Sequence, residues 1–450
     1  MLDSSIVNVA IQPIARSLHA SLTTMQWAVS GYLLALGAGL AGTAYLARRF
    51  GTLPVYRACL IAFTIASGLC ALAPDAGFLI GARLLQGLVA APLVPLAMSM
   101  LLGRDASGAR NISPLAGIML FLGPAIGPTV GGALIGVGGW RMIFLINVPL
   151  GTLAAVAVRF VPAGLAPGRK SGARFDLPGL VLLAAGLTGV LYATIQGGVA
   201  GWTTVSTWAP LVSGAALIAV YACWATRQDQ PALDLSLARH RVPVLSMALC
   251  ALASIVTWVM VFLLPVFVQS VQGRSALAAG LAMAPQGLIT GLSTALGPRL
   301  LTRFTMRVTV LAGFALLAVA SLGLLGVGAS TPLWLIALIL ACRSVSIGLI
   351  INPLLQALTQ PLPPEQMGDA STLFNTWQRV AGSFGIGTIA ALYSTQARAH
   401  GPVQALHLAS LVIVAMCAAG AFAALLLPSA PSTTATTAAD AVRRSGSRAR

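Results

Sequence analysis

A bundle of lipid-embedded helices is the fold class this sequence predicts, and three observations carry it. Of 450 residues, 58% are hydrophobic and only 8% charged, whereas soluble domains hold roughly 45–50% apolar and about 25% charged residues. Many apolar runs exceed about 18 residues, the length at which a helix crosses a hydrocarbon core of roughly 30 Å. The runs also lack the period-two alternation of barrel strands. An ordinary globular domain, a disordered chain, a coiled coil and a small disulfide scaffold are all excluded by the same numbers.

Each helix is an apolar run closed by charges or by Gly/Pro clusters. The first, near 1–14, ends before Arg16; the second, 25–47, stops at Arg48-Arg49. Runs 58–73 and 77–102 are separated by Pro74-Asp75, and 112–135 is cut from 142–160 by Trp140-Arg141. Asp176 precedes 177–195, and 208–226 closes on Arg227. The remaining runs lie near 242–268, 277–298, 308–327, 333–351, 370–393 and 406–427, giving fourteen helices. The first run, about 14 residues, would span only roughly 21 Å at 1.5 Å per residue. No basic segment precedes it as in a signal peptide. It therefore reads as a truncated first helix, with the true start expected upstream.

Charge placement orients the bundle. The chain has 26 Lys and Arg against 9 Asp and Glu, a formal charge of +17. In a soluble protein that excess points to nucleic acid; here the cations sit in short gaps between apolar runs, so no nucleic-acid partner is expected. One set of alternate connections, with the C-terminal tail, holds 19 cations, and the opposite set holds Arg16, Arg141, Arg274 and Arg398. That asymmetry places the basic loops and both termini in the cytoplasm. The six cysteines all fall in apolar runs without paired spacing and read as small buried hydrophobes, not as metal ligands or disulfides. Residues 429–450, rich in Ser, Thr and Ala with four arginines, are expected to be a disordered basic tail.

A repeat is visible between two inward helix ends. Tyr45-Leu-Ala-Arg-Arg-Phe-Gly51 and Arg299-Leu-Leu-Thr-Arg-Phe-Thr305 keep Leu, Arg and Phe in register at 46/300, 49/303 and 50/304. With the helix count, this predicts an N-terminal six-helix bundle (1–160), two inserted central helices (161–240) and a C-terminal bundle (241–428). Internal repeats are a recurring transporter device.

Polar groups inside lipid are costly, so the few present matter most. Asp3 is the only carboxylate well inside an apolar run, and Arg83 lies several residues into the fourth helix, in Arg83-Leu-Leu-Gln86-Gly87. A carboxylate poised between desolvation and a neighbouring arginine can load and release protons. The bland alternative is that Asp3 caps its helix and Arg83 is anchored to backbone carbonyls. The fifth helix reads Gly123-Pro124-Ala-Ile-Gly127-Pro128-Thr-Val-Gly131-Gly132. Glycines four apart share a face and admit close backbone approach, while prolines remove ladder donors and bend the helix. A smooth, kinked interface between moving halves needs both.

These motifs together resemble the major facilitator superfamily, specifically its fourteen-helix drug:proton antiporter family. Asp3 to Ala10 is similar to that family's first-helix signature, and Gln26-Trp27 with Tyr32 to its second-helix opening. Arg83, Gln86 and Gly87 resemble the fourth-helix motif tied to proton transfer. Gly123 to Gly132 resembles the fifth-helix motif of exporters, and Trp140-Arg141-x-x-Phe144-x-x-Asn147-x-Pro149-x-Gly151 follows as expected. Asp176-x-x-Gly179, Gly201-Trp202, Pro231 with Asp234-Leu235, and Gln269 through Pro285 continue the match over essentially the whole chain. The sequence departs from the family after helix 2, where Arg48 stands in place of the usual acid before Arg49 and Gly51; Gln12 replaces a proline, and Gln378-Arg379 reverses the usual order.

The resemblance implies proton coupling by Asp3 and Arg83. It also implies gating by the loop of Arg48, Arg49 and Gly51 with its repeat mate Arg303. Candidate cavity residues are Asn8, Gln26, Trp27, Tyr32, Gln86, Gln269, Asn375 and Arg379, with Arg343 and Asn352 as further intramembrane polar groups. Trp258 and Phe267 could also line a cavity, although ordinary packing or the interfacial belt is the favoured reading for single aromatics. The expected function is secondary export of drugs or other lipophilic small molecules by proton antiport from a bacterial inner membrane. Substrate, protons and lipid are the expected partners, with no cofactor and no metal. A periplasmic adaptor with an outer-membrane channel stays an open possibility. A metabolite uniporter or symporter is the alternative, and an inactive truncated remnant a third. An enzyme is not expected: the four histidines do not converge with carboxylates or cysteines, and no GxxxxGK[ST] loop is present.

Overall fold

The computed structural model describes residues 2–101, 127–160, 176–201, 203–228, 241–301, 304–359 and 367–428. Among them there is no strand. The helices of the first part are α1 (Leu2–Ser17), α2 (Leu22–Phe50), α3 (Thr52–Ala71), α4 (Ala76–Ala90), α5 (Leu93–Leu101), α6 (127–138), α7 (Met142–Leu145) and α8 (Asn147–Ala157). Then come α9 (Leu177–Ala200) and α10 (Val205–Ala225). The last part holds α11 (Arg241–Ser270), α12 (Ala276–Leu301), α13 (Met306–Leu322), α14 (Leu333–Thr359), α15 (Met367–His400) and α16 (Pro402–Ala424).

Ten described segments are long and apolar enough to cross a membrane, against fourteen expected crossings. α1, at 16 residues, is longer than its apolar run but still short of a full span. Several helix starts carry side-chain caps that satisfy orphan backbone donors. Ser21 Oγ accepts from Thr24 N–H at 3.0 Å, Asp75 from Phe78 N–H at 2.9 Å, and Asp176 from Gly179 N–H at 2.8 Å. α2 hands over to α3 within one residue because Gly51 adopts φ 92°, a left-handed conformation that costs glycine no Cβ clash.

Two expected helices are each broken once. The fourth pauses at Ala91–Pro92 and the sixth at Ile146, three residues before Pro149. A proline's missing N–H removes the ladder bond to the residue four back, which is where apolar runs do not reveal a break.

Two apolar cores result. One gathers α11 to α16 around Phe267, Phe314 and Phe374 and includes Val9 of α1. The other gathers α1 to α4 with α7 around Ile6, Met25 and Phe144, and takes in Phe262 and Val266 of α11. α9 and α10 pack on one another, and α9 also lies on α2 and α15. The outer faces are apolar as well, with Ile65, Leu153, Val319 and Phe422 exposed, as a lipid solvent requires. Cysteine burial is less uniform than the sequence implies: Cys70, Cys250 and Cys417 are buried, while Cys223 and Cys342 are exposed on that outer face. In lipid a thiol can face outward without cost.

Close helix approach makes a directly testable point. A Cβ on Gly280 of α12 would lie 2.2 Å from the Pro128 carbonyl oxygen of α6, whereas one on Gly81 meets nothing within 4 Å. Gly280→Leu is expected to cost about 1–3 kcal/mol through overpacking and to lower the melting temperature of the detergent-solubilised protein. Gly81→Leu should leave it unchanged.

Candidate functional site

A polar cluster in the described interior is built on Arg83. Its α4 position is 1% exposed, and a guanidinium buried inside a membrane bundle must find both counter-charge and acceptors. Nη1 donates to Asp3 Oδ2 at 2.7 Å and to Gln86 Oε1 at 2.7 Å. Nε donates to the Ala28 carbonyl of α2 at 3.1 Å. The guanidinium also lies 4.0 Å from the Tyr32 ring centroid and 5.8 Å from that of Phe144, within cation–π range.

Asp3 is equally enclosed. Its Oδ1 accepts from Asn147 Nδ2 at 2.9 Å and from Gln86 Nε2 at 3.4 Å. Asn147 also donates to Ser67 Oγ at 3.0 Å, and the Ser67 hydroxyl donates to the Phe144 carbonyl at 3.0 Å. The cluster thus ties α1, α2, α3, α4, α7 and α8 around one ion pair. Arg83 holds a backbone carbonyl and the Asp3 carboxylate at once.

The fit of α4 against α2 explains Gly87. A Cβ there would lie 2.4 Å from the Tyr32 carbonyl oxygen, so only glycine lets Arg83 come down over the Tyr32 ring. Sequence reasoning placed Asp3, Arg83, Gln86 and Tyr32 as candidates, and the structure brings all four together. It missed Asn147, which donates to the carboxylate, and Ser67, which accepts from Asn147. Asn147 stood in a recognised motif string but carries no charge to mark it. Ser67 has no signal in a single sequence.

The other candidates are spread along the contact between α1–α6 and α11–α15. Gln269 Nε2 donates to the Val9 carbonyl at 2.8 Å, Ser383 Oγ to the Ser30 carbonyl at 2.7 Å, and Thr129 Oγ1 to the Gly280 carbonyl at 3.3 Å. Gly131 faces α1, where a Cβ would meet Ile6 Cγ2 at 2.9 Å, and Gly132 faces α12, where it would meet Leu277 Cα at 2.5 Å. Gly127 and Pro128 are buried beside them. Gly123 and Pro124 lie outside the described residues. Asn8 and Gln26 are buried, and Gln26 Oε1 has no hydrogen-bond partner. Trp27 pairs with Tyr192 of α9 at 6.3 Å between ring centroids. On α15, Asn375 is exposed and the Arg379 guanidinium sits 5.3 Å from the Trp258 ring centroid. Of the expected gating loop, Gly51 turns the chain, Arg48 ends in the last turn of α2, Arg49 is exposed, and Arg303 lies outside the described residues.

No group of three or more His, Cys, Asp or Glu among the described residues is arranged to hold a metal ion.

Known proteins are similar to this chain in sequence and in fold. The sequence profile of the Major Facilitator Superfamily covers residues 1–386. The multidrug resistance protein B homolog of Mycobacterium tuberculosis (strain ATCC 25618 / H37Rv) is 31% identical over 88% of this chain and 74% of its own length. The multidrug export protein EmrB of Escherichia coli (strain K12) is 31% identical over 89% and 78%. The methylenomycin A resistance protein of Streptomyces coelicolor (strain ATCC BAA-471 / A3(2) / M145) is 31% identical over 89% and 84%. In shape, the nucleoside transporter NupG superposes with a TM-score of 0.65 at 14% identity, over 94% of this chain and 96% of that one; at that identity the likeness concerns the fold alone. With a profile matched over most of its length and relatives at 31% identity, this multi-pass membrane chain belongs to the Major Facilitator Superfamily.

Proposed function

We propose that the chain is a secondary exporter of drugs or related lipophilic small molecules, driven by proton antiport. The observation that carries this reading is the buried Asp3–Arg83 pair, 2.7 Å apart, held by the Asn147 and Gln86 amides. The names of the multidrug export and antibiotic-resistance relatives supply the substrate class.

Protonation of Asp3 would cancel the carboxylate charge that Arg83 neutralises. The guanidinium would then lose its counter-charge and keep neutral partners, among them Gln86, the Ala28 carbonyl and the Tyr32 and Phe144 rings. That change in local charge alters the relative free energy of the two orientations of the bundle, which is the only way a proton can drive them. In this reading residues 1–160 and 241–428 are the two moving bundles, α9 and α10 are inserted between them, and both termini face the cytoplasm of a bacterial inner membrane.

Contacts between the bundles support a two-state hinge. The Gln269–Val9 and Thr129–Gly280 bonds both join the end of the molecule that carries Arg16, Arg141 and Arg274. These are single bonds to backbone carbonyls along a glycine-smoothed seam, so separation breaks few strong interactions. In the orientation set by the loop arginines that end faces outward, and the structure then corresponds to the outward-closed state.

Two results test the proposal. Everted vesicles energised by a proton gradient and carrying a pH-sensitive dye would be challenged with dyes, detergents, antibiotics and organic acids. Gradient collapse on adding one compound, abolished by Asp3→Asn, is expected; an unchanged response in the variant would refute the coupling role. Arg83→Lys keeps the charge but loses the fork that reaches Asp3, Gln86 and Ala28 together. It is expected to reduce transport at least 10-fold at wild-type protein levels, and near-normal transport would contradict the geometry.

A further inference from the structure

The offset seen at the inward helix ends runs deeper than the sequence motif. Leu46/Leu300 and Phe50/Phe304 are 254 residues apart, and so are the first residues of α3 and α13, Thr52 and Met306. Ser67 and Ser321 keep the same offset. The α13–α14 connection, 323–332, is six residues longer than the α3–α4 connection, 72–75. Adding those six residues to the offset pairs Arg83 of α4 with Arg343 of α14.

The surroundings agree with that pairing. Arg343 is 4% exposed, its Nη1 donates to Ser321 Oγ on α13, and its Nη2 donates to the Val256 carbonyl of α11 at 3.1 Å. Ser321 is the mate of Ser67, which sits in the Arg83 cluster. α11 is the mate of α1, and Thr257, directly after Val256, is 254 residues from Asp3. No carboxylate among the described residues pairs with Arg343; the titratable group facing it is the Cys417 thiol of α16. The mate of Gln86 is Ser346, whose buried hydroxyl makes no hydrogen bond. The second copy therefore has the arginine and the serine but has neither the acid nor the amide.

We propose that Arg343 is the repeat counterpart of Arg83 and acts as a positioning residue, pinning α14 to α11 and α13 without a proton-accepting partner. Proton switching is thereby confined to the N-terminal bundle, and the C-terminal bundle keeps one fixed arrangement at every working pH. The proposal extends the coupling role given above to Asp3, but its test needs no transported compound.

The measurement is the melting temperature of the purified full chain in detergent between pH 5 and 9. Arg343→Gln should lower it by roughly 2–6 °C, by the same amount at every pH. Thr257→Asp restores the missing acid. With Arg343 present, the pH-dependent stability added by this acid should be lost as pH falls, because the paired carboxylate is the stable form. In the Thr257→Asp/Arg343→Gln double variant the slope should reverse, since an unpaired buried carboxylate is destabilising and is relieved by protonation. An Arg343→Gln curve that is unshifted, raised or altered in slope overturns the positioning role. A Thr257→Asp slope indifferent to Arg343 overturns the repeat pairing. If instead both hold while the vesicle assay gives no coupled transport, the proposed function fails and this inference stands.

Discussion

Everything near the centre of the N-terminal part depends on one electrostatic constraint: a guanidinium with 1% exposure has to be neutralised where water is absent. Bulk lipid offers neither acceptors nor screening, so each of the groups around Arg83 is fixed by it. Asp3 supplies the charge, Gln86 and the Ala28 carbonyl supply acceptors, and the Tyr32 ring supplies a polarisable face. Asn147 then holds the carboxylate from the far side and is itself held by Ser67. Removing one member of such a pair leaves an uncompensated buried charge, worth about 3–5 kcal/mol in other proteins. Under the proposed coupling, the same magnitude is what protonation of Asp3 would redistribute across the six helices tied to the pair.

The pair could not do this without backbone thinness beside it. Gly87 lets α4 reach the Tyr32 carbonyl, and Gly131, Gly132 and Gly280 do the same between α6, α1 and α12. Without side chains at these points the helices approach closely enough for backbone contact, and nothing interlocks them. Membrane helices lack a hydrophobic drive to associate, so this contact is their main source of cohesion. A seam made this way is stable when closed and carries few obstacles to sliding or parting.

Much of this was legible in the sequence because lipid simplifies the code. Long apolar runs could only be helices, and a lone acid and a few arginines inside them stood out. Asp3 and Arg83 were recoverable for that reason, and Gln86 and Tyr32 through the motif strings they stand in. Ser67 and Asn147 were not, because a serine or asparagine in an apolar run has many reasons to be there and its neighbour is set by packing. The breaks at Pro92 and before Pro149 were likewise hidden, since a helix interrupted for one turn keeps the same hydropathy. The repeat was visible only at one loop. Its continuation to Ser321 and Arg343 needed the helix boundaries, which absorb the six-residue insertion between α13 and α14.

The two bundles thus share an arginine at corresponding positions but differ in what surrounds it. One copy holds a titratable partner within 2.7 Å; the other is tied to a hydroxyl and a backbone carbonyl. The most direct test of the central claim measures protons on the molecule itself. Purified protein in weakly buffered detergent solution, carrying a pH indicator, would be mixed with the compound most active in vesicles. Wild type is predicted to release protons on binding, and Asp3→Asn to bind the same compound with no release. Equal proton release by the variant would contradict Asp3 as the coupling group.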